Sequence, residues 1–452
     1  MCRLHSLNHY VSMLDILGHG FRNCDDISRR DALRVGALAL GGFSLADLFQ
    51  SRARAAGPVI KDTAVIQIFM GGGPSHLDMY DLKPNAPSEI RGEFEEISTR
   101  IPGIRISEHL PLQAAVMDKL AIVRSVSHGN SSHLPSSHLV LTGHEPATDT
   151  NKNLNPSSGS VVAMLRGANV TGLPAYVAVP RPMSYGDSAY LGRSFGPFPT
   201  EKDPNQEGFH VPGLRRLPEL SAERLLSRRA LAKEMDRMRR EMDVSGEMAA
   251  VDRFSAQAIE LLTSQRVETA FAIEREPDRV RDLYGRTPIG QNCLLARRLV
   301  EAGVTYVTCL SGGGWDTHVN NFTELKNNTL PRYDRAVAAL VRDLYDRGLG
   351  EKVLVMAFGE FGRTPRINAD AGRDHWPGAM SVLFSGGGLK VGQVVGSTDS
   401  QGAYPTSSPY SPACVLATMY HVMGIDHNRR LTDQFGRESS VAPGGRPISE
   451  LI

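Results

Sequence analysis

The sequence predicts an α/β fold in which helices flank both faces of a mostly parallel sheet. Apolar runs of strand length occur at residues 64–69, 120–126, 304–310, 352–358 and 380–384. Helical patterns lie between them, for example at 291–302 and 333–347. Continuous apolar runs are typical of strands that are buried on both faces, and strands that alternate with helices form parallel sheets.

Composition narrows the class of protein further. The chain has 452 residues, and its 50 Lys and Arg against 49 Asp and Glu leave a net charge of +1. A nucleic-acid-binding protein usually carries a clear basic excess, so no nucleic-acid partner is expected. The 41% hydrophobic and 22% charged residues are typical of a globular protein. None of the five cysteines forms a Cys-x-x-Cys pair, which argues against a zinc ribbon or a thioredoxin-type site.

The first 55 residues have the layout of a twin-arginine signal peptide. Arg29 and Arg30 precede an apolar stretch at 35–45, and Ala53-Arg54-Ala55 is a small-x-small cleavage pattern. The apolar stretch is too short for a stable membrane span. We therefore expect residues 56–452 to be exported to the periplasm or beyond by the twin-arginine machinery. The alternative is an amphipathic N-terminal helix with an incidental arginine pair.

The mature part of the chain is expected to be one α/β domain that carries an insertion at about 182–285. The insertion begins with an irregular stretch rich in Pro, Gly and Tyr, and it continues into a charged helix at 220–243. Acidic residues match the arginines of that helix, which indicates a solvated helix face. Near the C-terminus, 386–395 is predicted to be a Gly-rich hairpin and 412–423 a closing helix.

Polar clusters follow the predicted strands. They comprise residues 71–78, 127–138, 312–318, 359–364 and 372–377. Histidine and carboxylate recur in them, and these side chains bind zinc, manganese or iron, whereas carboxylate alone suits magnesium or calcium. Open α/β sheets place their sites at such strand ends, so the pattern predicts a metal centre. The alternatives are that the triple glycine only makes a turn and that Asp316-x-His318 arises by chance.

The order of these motifs resembles the alkaline phosphatase superfamily, and it is most similar to an exported, sulfatase-like branch of it. The residues that carry this resemblance are Gly72-Gly73-Pro74-Ser75-His76-x-Asp78, Asp316-x-His318, Glu360-Phe361-Gly362-Arg363-Thr364-Pro365 and Gly372-x-Asp374-His375-Trp376-Pro377. In addition, Pro135-Ser136 and Leu141-Thr142-Gly143 match the sulfatase nucleophile loop in register. The resemblance covers about residues 60–452. It implies a metal site at the carboxyl edge of the sheet.

The sequence departs from that superfamily at its reactive positions. His133 stands where sulfatases carry the cysteine that becomes formylglycine, and Ser137 stands where they carry an arginine. Glu360 replaces an expected Asp-His pair, and the first strand lacks the paired metal aspartates. The usual sulfatase nucleophile is therefore unavailable. His133 has three candidate roles: metal ligand, general acid or covalent nucleophile. Ser131 and Ser132 are the fallback nucleophiles if the register is shifted by one or two residues.

The resemblance and the motifs together predict an exported metal-dependent hydrolase that acts on small-molecule or glycan esters of sulfate or phosphate. Two divalent ions (zinc, manganese, iron or calcium) are expected, about 3.5–4 Å apart. Asp316, His318 and His375 would hold the first ion, with Asp374 beside them, and Glu360 with Asp78 or His76 would hold the second. Arg363 would bind the ester oxyanion, or it would bond loop carbonyls as a structural residue. The alternative function is a non-catalytic protein that binds a sulfated glycan or an envelope partner.

Overall fold

The structure is a computed structural model that describes residues 62–146, 150–212, 214, 227 and 264–452. Strands are numbered along the described chain. They are β1 (Ala64–Phe69), β2 (Glu96–Ser98), β3 (Arg105–Ser107), β4 (Ala121–Val126), β5 (Tyr176–Val179), β6 (Phe198–Pro199), β7 (Tyr306–Leu310), β8 (Val353–Phe358), β9 (Gly362–Arg363), β10 (His375–Trp376), β11 (Met380–Gly386), β12 (Gln393–Val395), β13 (Ser397–Thr398), β14 (Pro405–Ser407), β15 (Arg430–Thr432) and β16 (Glu438–Ser440).

One sheet of eight strands forms the centre of the fold. Its strand order is β12-β4-β11-β8-β1-β7-β5-β6. Every neighbouring pair is parallel except the two that involve β11, which runs antiparallel to both β4 and β8. The remaining strands form two-stranded sheets, among them β9 with β10. The prediction of a mostly parallel sheet is confirmed.

The helices, numbered in the same way, connect the strands. They are α1 (His76–Met79), α2 (Ser88–Arg91), α3 (Pro111–Ala114), α4 (His133–Thr142), α5 (Ser158–Arg166), α6 (Gln265–Phe271), α7 (Asp278–Tyr284), α8 (Pro288–Ala302), α9 (Asn321–Glu324), α10 (Leu330–Asp346) and α11 (Pro412–Val422). A π-helical turn at Leu325–Thr329 joins α9 to α10. Within the described residues, no helix is long and apolar enough to cross a membrane.

Both faces of the sheet are covered by helices. Successive side chains of β1 point to opposite faces, so Ile66 and Ile68 pack in one core with α8 and α10, while Val65 and Phe69 pack in the other with α5 and α11. All six residues of β1 are buried. This two-sided burial explains why the strands are mostly apolar along their whole length, and the helices on both faces confirm the predicted fold class.

The predicted strands and the helices predicted at 291–302, 333–347 and 412–423 are present, with ends that shift for local reasons. All five apolar runs are strands, and their ends differ from the predictions by no more than two residues. Helix α8 begins earlier than predicted because the side chain of Thr287 accepts a hydrogen bond from the Gly290 amide and Pro288 occupies the first turn. It ends at Gly303, whose φ of 117° is in the left-handed region. The closing helix is α11.

One predicted element is wrong. Residues 386–395 do not form a hairpin, because β12 pairs in parallel with β4 and not with β11. Strand β4 therefore lies between the two strands that were expected to pair with each other. The predicted signal segment and most of the predicted charged helix at 220–243 lie outside the described residues. The irregular part of the insertion contributes β6, which extends the sheet at its edge beside β5.

Candidate metal centre

Three side chains converge at the carboxyl edge of the sheet. Asp316 lies in the loop after β7, His133 is the first residue of α4 after β4, and His375 begins β10. The Nε2 atom of His133 lies 3.3 Å from Asp316 Oδ2, and Nε2 of His375 lies 3.2 Å from Asp316 Oδ1. One ligand atom from each residue lies within 4.8 Å of the others. We call these three residues the Asp316 cluster.

Hydrogen bonds orient both imidazoles of the Asp316 cluster. The Nδ1–H of His133 donates to Glu360 Oε1 at 2.6 Å, and the Nδ1–H of His375 donates to the Ser131 carbonyl at 2.8 Å. A carboxylate and a carbonyl can only accept, so each Nδ1 carries its proton. In the neutral imidazoles, both Nε2 lone pairs then point at Asp316. This second layer of acceptors is typical of histidines that bind metals.

His318 borders the cluster in the same way. Its Nδ1–H donates to Asp374 Oδ1 at 2.7 Å, while its Nε2 lies 2.9 Å from His375 Nε2 and 3.1 Å from Asp316 Oδ1. Asp374 therefore orients His318 and does not itself reach the cluster. The structure places His318 beside the predicted ligands Asp316 and His375, and it adds His133 to them.

The electrostatics of the cluster favour a cation. Partial burial disfavours the Asp316 carboxylate, but the Arg363 guanidinium and the neighbouring imidazoles lower its pKa to about 2. The hydrogen bond to Glu360 raises the pKa of His133, whereas burial lowers the pKa of His375. A carboxylate that Arg363 partly neutralises and inward-facing imidazole nitrogens therefore share a small volume, which either a proton on an imidazole or a metal ion can occupy.

Arg363 has the structural role and not the predicted oxyanion-binding role. Its side chain is fully buried, and its Nη2 donates to Asp316 Oδ1 at 2.5 Å. Its other hydrogen bonds go to the backbone carbonyls of Gly72, Gly73, Trp315 and Arg373. The guanidinium therefore ties three loops together beneath the cluster, where an ester cannot reach it.

Asp78 and His76, one of which was predicted to hold a second ion together with Glu360, have other partners in the structure. Arg373 donates to both Asp78 oxygens, at 2.8 and 3.0 Å, and Ser75 and Asn321 donate to Oδ2. Both members of this ion pair are buried. The Nε2 of His76 bonds the Gly402 carbonyl at 2.8 Å, and burial lowers the pKa of this histidine. The predicted second ion site is therefore not assembled.

Glu360 and Ser132 occupy supporting positions. Glu360 is buried, and its Oε1 accepts from His133 and from the Gly72 amide at 2.8 Å, while its Oε2 has no hydrogen-bond partner. It contacts the cluster through His133. Ser132 is the exposed residue before α4, where it makes no side-chain capping bond. It lies directly beside His133, so the structure keeps it as a candidate reactive group.

The triple glycine has a packing reason that the sequence does not reveal. A Cβ atom on Gly72 would lie 2.8 Å from the Asp316 nitrogen, and one on Gly73 would lie 2.4 Å from the Phe361 ring. Both glycines have positive φ angles, 118° and 79°. The loop after β1 therefore lets Asp316 and Phe361 approach closely. Phe361 contacts two cluster histidines and was not singled out from the sequence.

The fold and the site define an α/β protein with a candidate metal centre at the carboxyl edge of a mostly parallel sheet. Two imidazoles and a carboxylate match the donor sets of zinc and of other first-row metals. The sequence pattern of the family described as "Protein of unknown function (DUF1501)" matches residues 62–452. The chain belongs to the DUF1501 family. Among the curated proteins, none matches it.

Several solved structures are similar to the chain at low identity. The lipoteichoic acid synthase LtaP from Listeria monocytogenes is 10% identical, with 86% of this chain and 77% of that chain covered and a TM-score of 0.34. The PsFucS1 sulfatase from Pseudoalteromonas sp. is 11% identical, with 84% and 70% covered and a TM-score of 0.34. The phosphonate monoester hydrolase SpPMH from Silicibacter pomeroyi is 12% identical, with 80% and 73% covered and a TM-score of 0.29. Similarities at this level say nothing about the activity of this chain.

Proposed function

We propose that this protein is an exported, metal-dependent hydrolase of sulfate or phosphate esters. The observation that carries the proposal is the convergence of His133, Asp316 and His375, whose imidazoles turn their Nε2 atoms inward because other groups hold their Nδ1–H. Acceptors behind the Nδ1–H groups and inward Nε2 atoms are the arrangement typical of histidines that bind a metal ion. We propose sulfate or phosphate esters as the substrates because the sequence motifs resemble those of sulfatases.

The donor set favours one ion of zinc, manganese or iron. Calcium prefers six to eight oxygen ligands, whereas two of the three cluster ligands are imidazoles. We propose a single ion and not two, because the carboxylate of Asp78 bonds Arg373 and Glu360 reaches the cluster only through His133. A bound divalent ion would supply Lewis-acid polarisation of the ester oxygens.

The surrounding residues hold the site in shape for hydrolysis. In this reaction the bond between sulfur or phosphorus and the ester oxygen breaks, the hydroxyl of water joins the sulfur or phosphorus, and its proton goes to the departing alcohol. Glu360 and Asp374 fix the tautomers of His133 and His318, and His318 is half-exposed at the mouth of the site. The first turn of the ten-residue helix α4 carries a partial positive charge that suits an anionic ester.

Metal analysis and an ester panel test this function. We expect the purified protein to contain about one equivalent of a first-row metal, and we expect the loaded protein to hydrolyse aryl sulfates, phosphate monoesters or phosphodiesters. A chelator should abolish both the metal content and the hydrolysis. Metal-free protein that cannot be loaded would contradict the proposed centre. Loaded protein that is inactive on every ester would support the binding-protein alternative.

Export has its own test. We expect a variant with Arg29→Lys and Arg30→Lys to accumulate inside the cell as uncleaved precursor, because the arginine pair is the recognition element of the proposed signal. The native protein should begin near Ala56 when its N-terminus is sequenced. As a control, Arg52→Lys and Arg54→Lys change the same residue type outside the pair and should leave export unchanged. Normal export of the Arg29 and Arg30 variant would exclude the twin-arginine route.

A further inference from the structure

One aromatic ring lies against both histidines of the Asp316 cluster. The centroid of the Phe361 ring is 4.4 Å from that of His375, with 35° between the ring planes. It is 5.1 Å from the His133 centroid, with 40° between the planes. The two imidazoles contact each other edge to face at 4.3 Å. The three rings thus form one packed group on one side of the cluster.

The Phe361 ring is itself held in place. The residue is completely buried, and it follows Glu360, which bonds His133. The ring abuts Gly73 so closely that a Cβ there would lie 2.4 Å from it. The Arg363 guanidinium carbon lies 5.9 Å from the ring centroid. A ring confined on these sides presents a fixed surface to the imidazoles.

Hydrogen bonds alone do not fix the two imidazoles. Each ring is held by its bond to Cβ and by a short hydrogen bond at Nδ1, but its Nε2 contact with Asp316 is longer, 3.3 Å for His133 and 3.2 Å for His375, so the ring plane can still tilt. Contact with a rigid aromatic face removes that freedom, because tilted aromatic rings prefer particular separations and angles. The acceptors Glu360 and the Ser131 carbonyl set the tautomers, and the Phe361 contact would set the ring planes.

We propose that Phe361 is a positioning residue that holds the imidazoles of His133 and His375 in the geometry that binds metal. The role of Phe361 in metal binding rests on the proposed function, but its effect on the positions of the two imidazoles can be tested independently of that function. Metal sites lose affinity when the groups behind their ligands are removed, typically by about 10–100-fold. The side chain at position 361 therefore acts on the ion through the two histidines.

The test compares Phe361→Leu with a matched control. Phe358→Leu, three residues earlier, removes a ring of the same size that is 1% exposed and contacts Phe69 and not the cluster. Binding of Zn²⁺ is measured by competition with a fluorescent chelator, thermal unfolding is recorded for each variant, and the metal-free variants are crystallised. We expect both substitutions to lower Tm, but we expect only Phe361→Leu to weaken Zn²⁺ binding, by about tenfold or more.

The outcomes separate this inference from the proposed function. Equal Zn²⁺ affinity in Phe361→Leu and the control would overturn the positioning role while leaving the metal centre intact. If the wild-type protein binds no Zn²⁺, the proposed centre fails, and the metal-free crystal structures then decide the positioning role. The positioning role would be overturned if the imidazoles of metal-free Phe361→Leu stay within about 0.5 Å of their wild-type positions, because this is the precision that such sites need. Phe361→Met serves in the same assays if Phe361→Leu does not fold.

Discussion

Replacing His133 with alanine should remove bound metal and lower the rate of ester hydrolysis by about 10²-fold or more. His133 supplies one of the three ligand atoms of the Asp316 cluster, and a site with three protein ligands is weakened greatly by losing one. The apolar cores on the two faces of the sheet do not contain His133. The variant should therefore stay folded, and metal content, hydrolysis rate and thermal unfolding measure the three effects separately.

Ser132→Ala is the matched control for this substitution. Ser132 is adjacent to His133, but it is exposed and makes no capping bond to α4. We expect this variant to keep its metal and its rate. An inactive Ser132→Ala protein beside an active His133→Ala protein would show that the serine is the nucleophile and that the sulfatase-like register is shifted.

Replacing Asp78 with asparagine should reduce the free energy of unfolding by about 3–5 kcal/mol. Asp78 and Arg373 form an ion pair in which the side chains are 1% and 0% exposed. Removal of the carboxylate leaves a buried guanidinium with no compensating charge, which costs far more than the loss of a surface pair. Urea unfolding measures the effect, and Glu438→Gln, which breaks an exposed pair with Arg430, should cost little.

A second variant shows whether charge is the cause. Asp78→Leu combined with Arg373→Met leaves no unpaired charge and should recover part of the lost stability. A loss of bound metal in Asp78→Asn without a loss of stability would return Asp78 to the set of metal ligands. If Asp78→Asn changes the free energy of unfolding by less than about 1 kcal/mol, the ion pair between Asp78 and Arg373 contributes no more to stability than a surface pair does.

Much of the fold can be predicted from the sequence because two-sided burial leaves a strong local signal. Strand β8 is apolar throughout and β1 is apolar except for Gln67, and polar clusters follow both strands at one edge. Asp316 lies at this edge because it follows the parallel strand β7, and His375 lies there because it precedes β11, which runs antiparallel and so begins at the same edge. The pairing of β12 could not be predicted, because a short strand after a Gly-rich turn gives no sign of which neighbour it joins.

The parts of the site that were not predicted depend on distant contacts. Asp78 lies 295 residues from Arg373 along the chain, and an isolated Asp in a motif resembles a ligand until its partner is known. Arg363 shows the same ambiguity, because a guanidinium that binds carbonyls and one that binds an ester have identical sequence signals. In the sequence, Phe361 cannot be told from an ordinary core residue, because only the tertiary structure brings His133 and His375 against its ring.

The position of β4 in the sheet determines when the centre can assemble during synthesis. Strand β4 carries the loop that leads to His133, and its partners in the sheet are β11 and β12, which leave the ribosome more than 250 residues after it. A nascent chain that already contains His133 and Asp316 still lacks β11, the strand that joins β4 to β8 in the sheet. The ligands can therefore meet only when nearly the whole polypeptide has emerged, so any ion must enter a completed chain and cannot guide its early folding.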